Sequence, residues 1–264
     1  METAGYLAAI FIGVTLGLIG SGGSILTVPV LVYLFGIQPV PATAYSLFIV
    51  GITSMTGSIS YFRKGLVDIR TAFIFGIPSV IAVFFTRAIV VPAIPDEIFS
   101  IGNHIITKSI LLMLIFALLM IFASYSMIRK DKRQTTEIQR IQKFSYPLVL
   151  TEGTVVGTLT GLVGAGGGFL IIPALVHFLK IPIKSAIGTS LVIIVINSLS
   201  GFLFSLNTSV IDWKLILSIS AAAITGIVMG SSISHKIDSN TLKPAFGWFT
   251  LLMGIYILVR ETVL

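Results

Sequence analysis

Eight apolar runs, near residues 4–36, 41–62, 71–92, 105–128, 146–179, 186–206, 213–234 and 244–259, leave little of this chain that could face water on all sides. Most reach the ~20 residues that a helix needs to cross a hydrocarbon core. Backbone in lipid must satisfy its own N–H and C=O groups, and apolar segments of this length do so as helices. Only 10% of residues are charged, against roughly a quarter in soluble domains, which removes a water-soluble fold from consideration. The expectation is an all-α integral membrane protein.

The first run should remain in the mature protein, because Glu2 and the lack of any positive charge before Arg63 do not make a signal peptide. Without cysteine, the chain has no disulfides, no thiolate metal site and no thiol relay. The net charge of +7 does not point to nucleic acid. Six of the 17 Lys and Arg residues crowd into RKDKRQTTEIQRIQK, residues 129–143, the one long polar stretch. Such a cluster holds a loop in the cytoplasm.

That stretch is also the midpoint of an internal duplication. An offset of 144 residues aligns 17–70 with 161–214 without a gap, and 18 of the 54 positions are identical. Apolar composition alone would match Leu and Ile by chance. It would not also match Gly17/Gly161, Gly20/Gly164, Gly22/Gly166, Gly23/Gly167, Pro29/Pro173, Ser46/Ser190, Ser54/Ser198, Gly57/Gly201 and Asp68/Asp212. The chain therefore divides into a first repeat, 1–128, a basic cytoplasmic linker, 129–145, and a second repeat, 146–264. Two like halves around a linker are the organisation of transporters built from structural repeats.

The paired stretches GLIGSGGS and GLVGAGGG, each followed by a proline segment, then ATAYSL and AIGTSL, then an Asp opening the next helix, resemble the sulfite exporter TauE/SafE family of membrane permeases. The resemblance covers nearly the whole chain. It implies movement of small sulfur-containing anions, such as sulfite or organosulfonates, across a bacterial cytoplasmic (inner) membrane.

A single helix over residues 4–36 would be ~50 Å long against a core of ~30 Å. The glycine clusters are where it should break, since glycine costs ~1 kcal/mol in a helix and readily adopts positive φ. Ser24 is a fair N-cap for the helix that resumes. Irregular backbone at membrane depth is tolerated only when buried in protein or lining a wet cavity. A helix restarting there points free N–H groups and its positive dipole end into the gap, which suits an anion. The expected substrate-binding residues are therefore Gly20, Ser21, Gly22, Gly23 and Ser24 with Gly164, Ala165, Gly166, Gly167 and Gly168. Close helix packing is the competing explanation for such glycines.

Whether each break makes a re-entrant hairpin or two short spans, each half then crosses an odd number of times, so the halves are inverted repeats of a broken first segment plus three transmembrane helices. The positive-inside rule favours this arrangement, which keeps Lys180, Lys184, Lys236 and Lys243 in the cytoplasm and leaves Arg87, Lys108, Lys214 and Arg260 outside. An unbroken segment would give parallel halves.

The second helix of each half carries Ser46 and Thr53, or Ser190 and Asn197, on one polar and small face, with Tyr45 or Thr189 beside it. Ser46, Thr53, Thr189, Ser190 and Asn197 join the expected site, with interhelical hydrogen bonding as the alternative. Asp68 and Asp212 read as helix caps. Lone His177 does not make a metal site, and neither metal nor cofactor is expected. Glu152 is the one acidic residue well inside an apolar run, and it is the candidate for proton coupling.

No nucleophile paired with a base, no His-Glu-x-x-His and no ATP-binding loop argue for an enzyme or a pump. A secondary transporter using alternating access and an anion channel using the same site both remain, with a homo-oligomer compatible with either. No Arg or Lys reads as lying deep in a span, so the anion would be held by helix N-termini, backbone N–H groups and hydroxyls alone.

Overall fold

The computed structural model describes residues 2–20, 23–101, 104–128, 146–177, 179, 181–206, 211–233 and 239–263. The basic linker, Ser21 and Gly22 lie outside them. The first half contains α1 (Glu2–Ile19), α2 (Ser24–Tyr33), α3 (Pro39–Arg63) and α4 (Ile69–Phe85). A π-helical turn (Thr86–Val90) and the short α5 (Val91–Ala93) follow, then β1 (Glu97–Ile101), β2 (His104–Thr107) and α6 (Lys108–Ile128). The second half contains α7 (Tyr146–Val163), α8 (Gly168–His177), α9 (Ile183–Ser205), α10 (Trp213–Ile233) and α11 (Ser239–Val263). Tyr146, Gly168, Ile183 and Trp213 open helices 144 residues after Glu2, Ser24, Pro39 and Ile69.

Among the described residues, five helical segments are long and apolar enough to cross a membrane: Pro39–Arg63, Ile69–Ala93, Lys108–Tyr125, Lys184–Ser205 and Trp213–Ile233. Their outer faces are as apolar as their cores. Phe73, Ile77, Ile81 and Phe84 of α4 stand at helical spacing and exposed, as do Leu118, Phe122 and Tyr125 of α6. In water such a surface would aggregate; in a bilayer it is the solvated face. The protein is a multi-pass membrane protein.

The helices pair in a crossed pattern that respects the duplication. α1 lies against α10 of the other half, and its counterpart α7 lies against α4. Both contacts are parallel and built on glycine. Gly13 meets the Ala223 backbone and Gly17 meets Gly230 and Ser231, while Gly153, Gly157 and Gly161 meet Phe75, Ser79 and Thr86 in turn. The pairs Gly13·Ala223 and Gly157·Ser79 are equivalents under the 144-residue offset. Small residues four apart let the backbones touch, which is how helices gain dispersion contacts when lipid offers no hydrophobic drive.

α3 and α9, themselves repeat counterparts, pack on each other in the centre. Leu47 lies against Gly201, Gly51 against Leu199, Gly57 against Leu191 and Tyr61 against Gly188, so the two run antiparallel. α6 and α11 do the same, with Gly247 on Met127 and Ile128 and Gly254 on Met120 and Ile121. Two cross-half hydrogen bonds complete the exchange: the Asp212 N–H donates to the Tyr45 hydroxyl (2.8 Å), and the Asp68 N–H donates to Thr189 Oγ1 (2.9 Å). Tyr45 and Thr189 are repeat counterparts, as are the two aspartates. Each aspartate also caps its helix, Asp68 accepting from the Thr71 N–H and Asp212 from the Leu215 N–H.

Two expectations change. The N-cap position of α2 falls on Gly23 rather than Ser24, and no side-chain cap bond forms there. The run near 105–128 begins with β2, which pairs with β1 in an antiparallel hairpin, Ile101 opposite His104 and Ser100 opposite Ile105. Short runs rich in Ile and Phe, EIFSI and HIIT, on either side of a Gly-Asn pair carry that hairpin signal, which a reading for membrane helices passes over.

Because a Cβ at residue 157 would meet the Ser79 carbonyl, Gly157→Leu should force α7 off α4. Overpacking of this kind costs ~1–3 kcal/mol. The expected outcome is a lowered thermal midpoint in detergent, with Gly76→Ala, where a Cβ on α4 meets open space, as the comparison.

Candidate functional site

α2 folds back along α1. Gly23 rests on the Ile12 carbonyl and Thr15, and after the end of α2 the Phe35 ring reaches Gly5 and stacks edge-on to Tyr6 at 5.6 Å. α7 and α8 repeat the start of this contact, Gly167 resting on Thr160 and Val156. At the turns the backbone enters the left-handed region: Gly20 has φ +82°, and Gly164, Gly166 and Gly167 have φ +74°, +68° and +68°. L-residues avoid that region by ~1–2 kcal/mol, so glycine is what permits a reversal this tight. The two hairpins meet in one apolar cluster, Ile25, Leu26 and Val28 with Val163, Ala165 and Phe169.

The second turn is fully described and fully buried. Gly164 sits against Thr43 of α3, and Gly166 against Val50 and the hydroxyl of Ser198, each 2.8 Å from where a Cβ would stand. α8 then begins at Gly168; its Leu170 and Ile171 N–H groups donate to the Gly167 carbonyl (2.9 and 3.1 Å), which leaves the Gly168 and Phe169 N–H groups without intrahelical acceptors. Beside it lie two hydroxyls without partners among the described residues, Thr160 against Gly167 and Ser198 against Gly166; Ser46 and Ser54 of α3 are likewise buried and unpartnered there. A buried turn that offers N–H groups and a positive helix end, next to uncommitted hydroxyls, can hold an anion.

The remaining expected residues divide by what they bond. Thr53 donates to the Ile49 carbonyl (2.6 Å) and Ser190 to the Ile187 carbonyl (2.8 Å), both within their own helices. Thr189 holds the Asp68 N–H. Asn197 donates from Nδ2 to the Ser79 hydroxyl (2.6 Å), tying α9 to α4, while its Oδ1 has no donor among the described residues. Ser24 and Gly168 are the first residues of α2 and α8, both buried, and Ala165 lies in the apolar cluster. Gly22, the repeat counterpart of Gly166, and Ser21 fall outside the described residues. Glu152 is half-buried on α7 beside the Gly153 contact with α4, its Oε2 unpartnered among the described residues. No group of three His, Asp or Glu side chains converges as metal ligands among the described residues.

One expectation is overturned outright. Arg87 lies in the π-helical turn and is 5% exposed, its Nη1 donating to Thr43 Oγ1 at 3.0 Å. A fixed buried cation does exist, one contact away from the Gly164 turn. Arg87, Thr43 and Ser198 are the residues that sequence reasoning left out of the site. The signals were present: Arg87 interrupts the run 71–92, and Ser54/Ser198 is one of the identical repeat pairs.

The family model for "Sulfite exporter TauE/SafE" matches residues 6–257. The chain is 29% identical over 253 residues to a "Probable membrane transporter protein" of Xylella fastidiosa, covering 95% of this chain and 92% of that one. It is 27% identical to "Probable membrane transporter protein YunE" of Bacillus subtilis over 90% of each chain. A relative in Methanocaldococcus jannaschii, also named a probable membrane transporter protein, is 25% identical over 95% of this chain and 94% of its own. No solved structure matches the chain.

If the second turn needs its left-handed glycine, Gly166→Ala should lower the thermal midpoint in detergent by an amount matching ~1–2 kcal/mol, since its Cβ also presses on Ser198 and Val50. A midpoint equal to wild type would show that the turn is looser than described.

Proposed function

The chain belongs to the sulfite exporter TauE/SafE family, and from that premise we propose that it is a secondary permease for small sulfur-containing anions such as sulfite or organosulfonates. The observation that carries this reading is the buried second turn, where positive-φ glycines bring the start of α8 against α3 and α9 without a side chain in between. The name of the family and the names of the relatives support transport; the choice of a sulfur anion rests on the family name alone.

Antiparallel packing of α3 on α9 supports inverted halves, because repeat-related helices that both cross a membrane in opposite senses are exchanged by an axis lying in the membrane plane. The return of α2 toward the start of α1 supports glycine-broken, re-entrant hairpins in preference to paired short spans. With the basic linker inside, the setting is the cytoplasmic (inner) membrane of a bacterium. Rocking of the halves about the central α3–α9 pair would open the turns to each side alternately. The crossed contacts favour a carrier over a channel, since moving one hairpin displaces a helix of the opposite half.

Counterflow in proteoliposomes tests the carrier. Trans-stimulated exchange of labelled sulfite is the expected result, and flux without exchange at saturating substrate would favour the channel. Glu152→Gln should abolish the response of that exchange to a pH gradient if the carboxyl carries the coupling proton. An unchanged response would remove the proton role and leave the carrier intact.

A further inference from the structure

Arg87 holds a charge that nothing among the described residues neutralises. Its Nε and Nη2 are enclosed and meet no acceptor among the described residues, while Nη1 is committed to Thr43. The committed nitrogen matters. Nε and Nη2 form the side edge of the guanidinium, the edge that presents two parallel N–H bonds, and it is the edge left open. A carboxylate, sulfite or sulfonate offers two oxygens at the matching separation.

The location matches the turn described above. Thr43, which holds Nη1, is also the residue against which Gly164 packs, its Cβ 2.5 Å from where a Gly164 side chain would begin. The π-helical turn carrying Arg87 abuts α7 through Thr86 and Gly161, three residues before that turn. The unpartnered cationic edge and the glycine turn that leads into the ten-residue α8 thus meet at one residue, Thr43.

The duplication supplies an internal control. Under the 144-residue offset, Thr43 becomes Ile187 and Arg87 becomes Ser231. Ile187 does sit against Gly20, as Thr43 sits against Gly164, and Ser231 sits against Gly17, but Ser231 spends its hydroxyl on the Val228 carbonyl at 3.1 Å. Among the described residues, the first turn therefore has an aliphatic neighbour and no cation beside it. The two turns differ in charge, and at one repeat-related position in backbone as well: Gly23 has φ −62° where Gly167 has φ +68°.

We propose that Arg87, oriented by Thr43, is the anchor of a single oxyanion at the second glycine turn, gripping two of its oxygens through Nε and Nη2, and that the first turn holds no equivalent anion. The proposal rests on the permease reading and adds to it a fixed cation, one occupied turn out of two, and a preference for anions with two oxygens on one face. Halides lack that face and bind weakly.

The test uses the purified full chain in detergent, titrated with sodium sulfite, sodium sulfoacetate and sodium acetate, with sodium chloride matching ionic strength, and reads the thermal midpoint. Wild type should be stabilised saturably by at least one oxyanion and not by chloride. Arg87→Gln removes the charge and the parallel donors, and should weaken half-saturation roughly tenfold to a hundredfold, the range expected for charged hydrogen bonds. Arg87→Lys keeps the charge without the fork and should fall between the two; it also decides the matter alone if the glutamine variant does not give monodisperse protein. Equal half-saturation in wild type and either variant overturns the anchor, as does a wild type that responds to none of the oxyanions. Counterflow measured in parallel separates the anchor from the permease. Exchange of sulfite unaffected by Arg87→Gln rejects the anchor and keeps the carrier, whereas Arg87-dependent binding without exchange keeps the anchor and rejects the carrier.

Discussion

Backbone touching backbone is the interaction on which the rest of this structure depends. Where α1 meets α10 and α7 meets α4, glycines at residues 13, 17, 153 and 157 let carbonyls of one helix approach the main chain of the other, so dispersion replaces the hydrophobic drive that lipid cannot provide. Those two seams hold each hairpin by its first helix against the opposite half, while α2 and α8 pack on α3 and α9 of their own halves. The hairpins then hold their turns inside the protein, where irregular backbone survives without lipid contact.

The duplication makes the seams come in pairs, and the pairs are kept to the residue: Gly13 on Ala223 and Gly157 on Ser79, Tyr45 on the Asp212 N–H and Thr189 on the Asp68 N–H. Against that regularity the departures stand out. Asn197 reaches Ser79, while its counterpart Thr53 turns to its own helix. Arg87 and Thr43 occupy positions that hold Ser231 and Ile187 in the other copy. Symmetry here is a property of packing; charge is placed on one side of it.

Much of this was legible from residues alone. The eight runs mark the helices, the 144-residue offset predicts the start of four helices in the second half from those in the first, and the glycine clusters coincide with the ends of α1 and α7. What periodicity could not supply is which helix touches which, because the glycine stripes of α1 and α10 fit any close neighbour equally well. The burial of Arg87 is hidden from the sequence for a related reason. A lone charge a few residues from the end of an apolar run reads as the point where the helix leaves the membrane, and only the packing of α3 and α7 around it turns the side chain into the protein interior. Residue type favours Ser24 as the cap, but the turn places Gly23 at that position. The β1–β2 hairpin was missed since its Ile and Phe residues merge with the run that follows.

The crossed partnership of α1 has a consequence for how the chain is made. A ribosome delivers α1 first and α10 near the end, so the earliest hairpin has no seam to lie in until almost the whole protein has entered the bilayer. During that interval the glycine face of α1 is a surface without its partner, and the turn that follows it has no protein around it. The central pair α3–α9 likewise joins only after the linker has been threaded. Assembly is therefore a late event in synthesis, governed by contacts between residues far apart in the chain, a topology that slows folding and lengthens exposure to wrong partners. For this molecule the second half acts as the template on which the first half reaches its final shape.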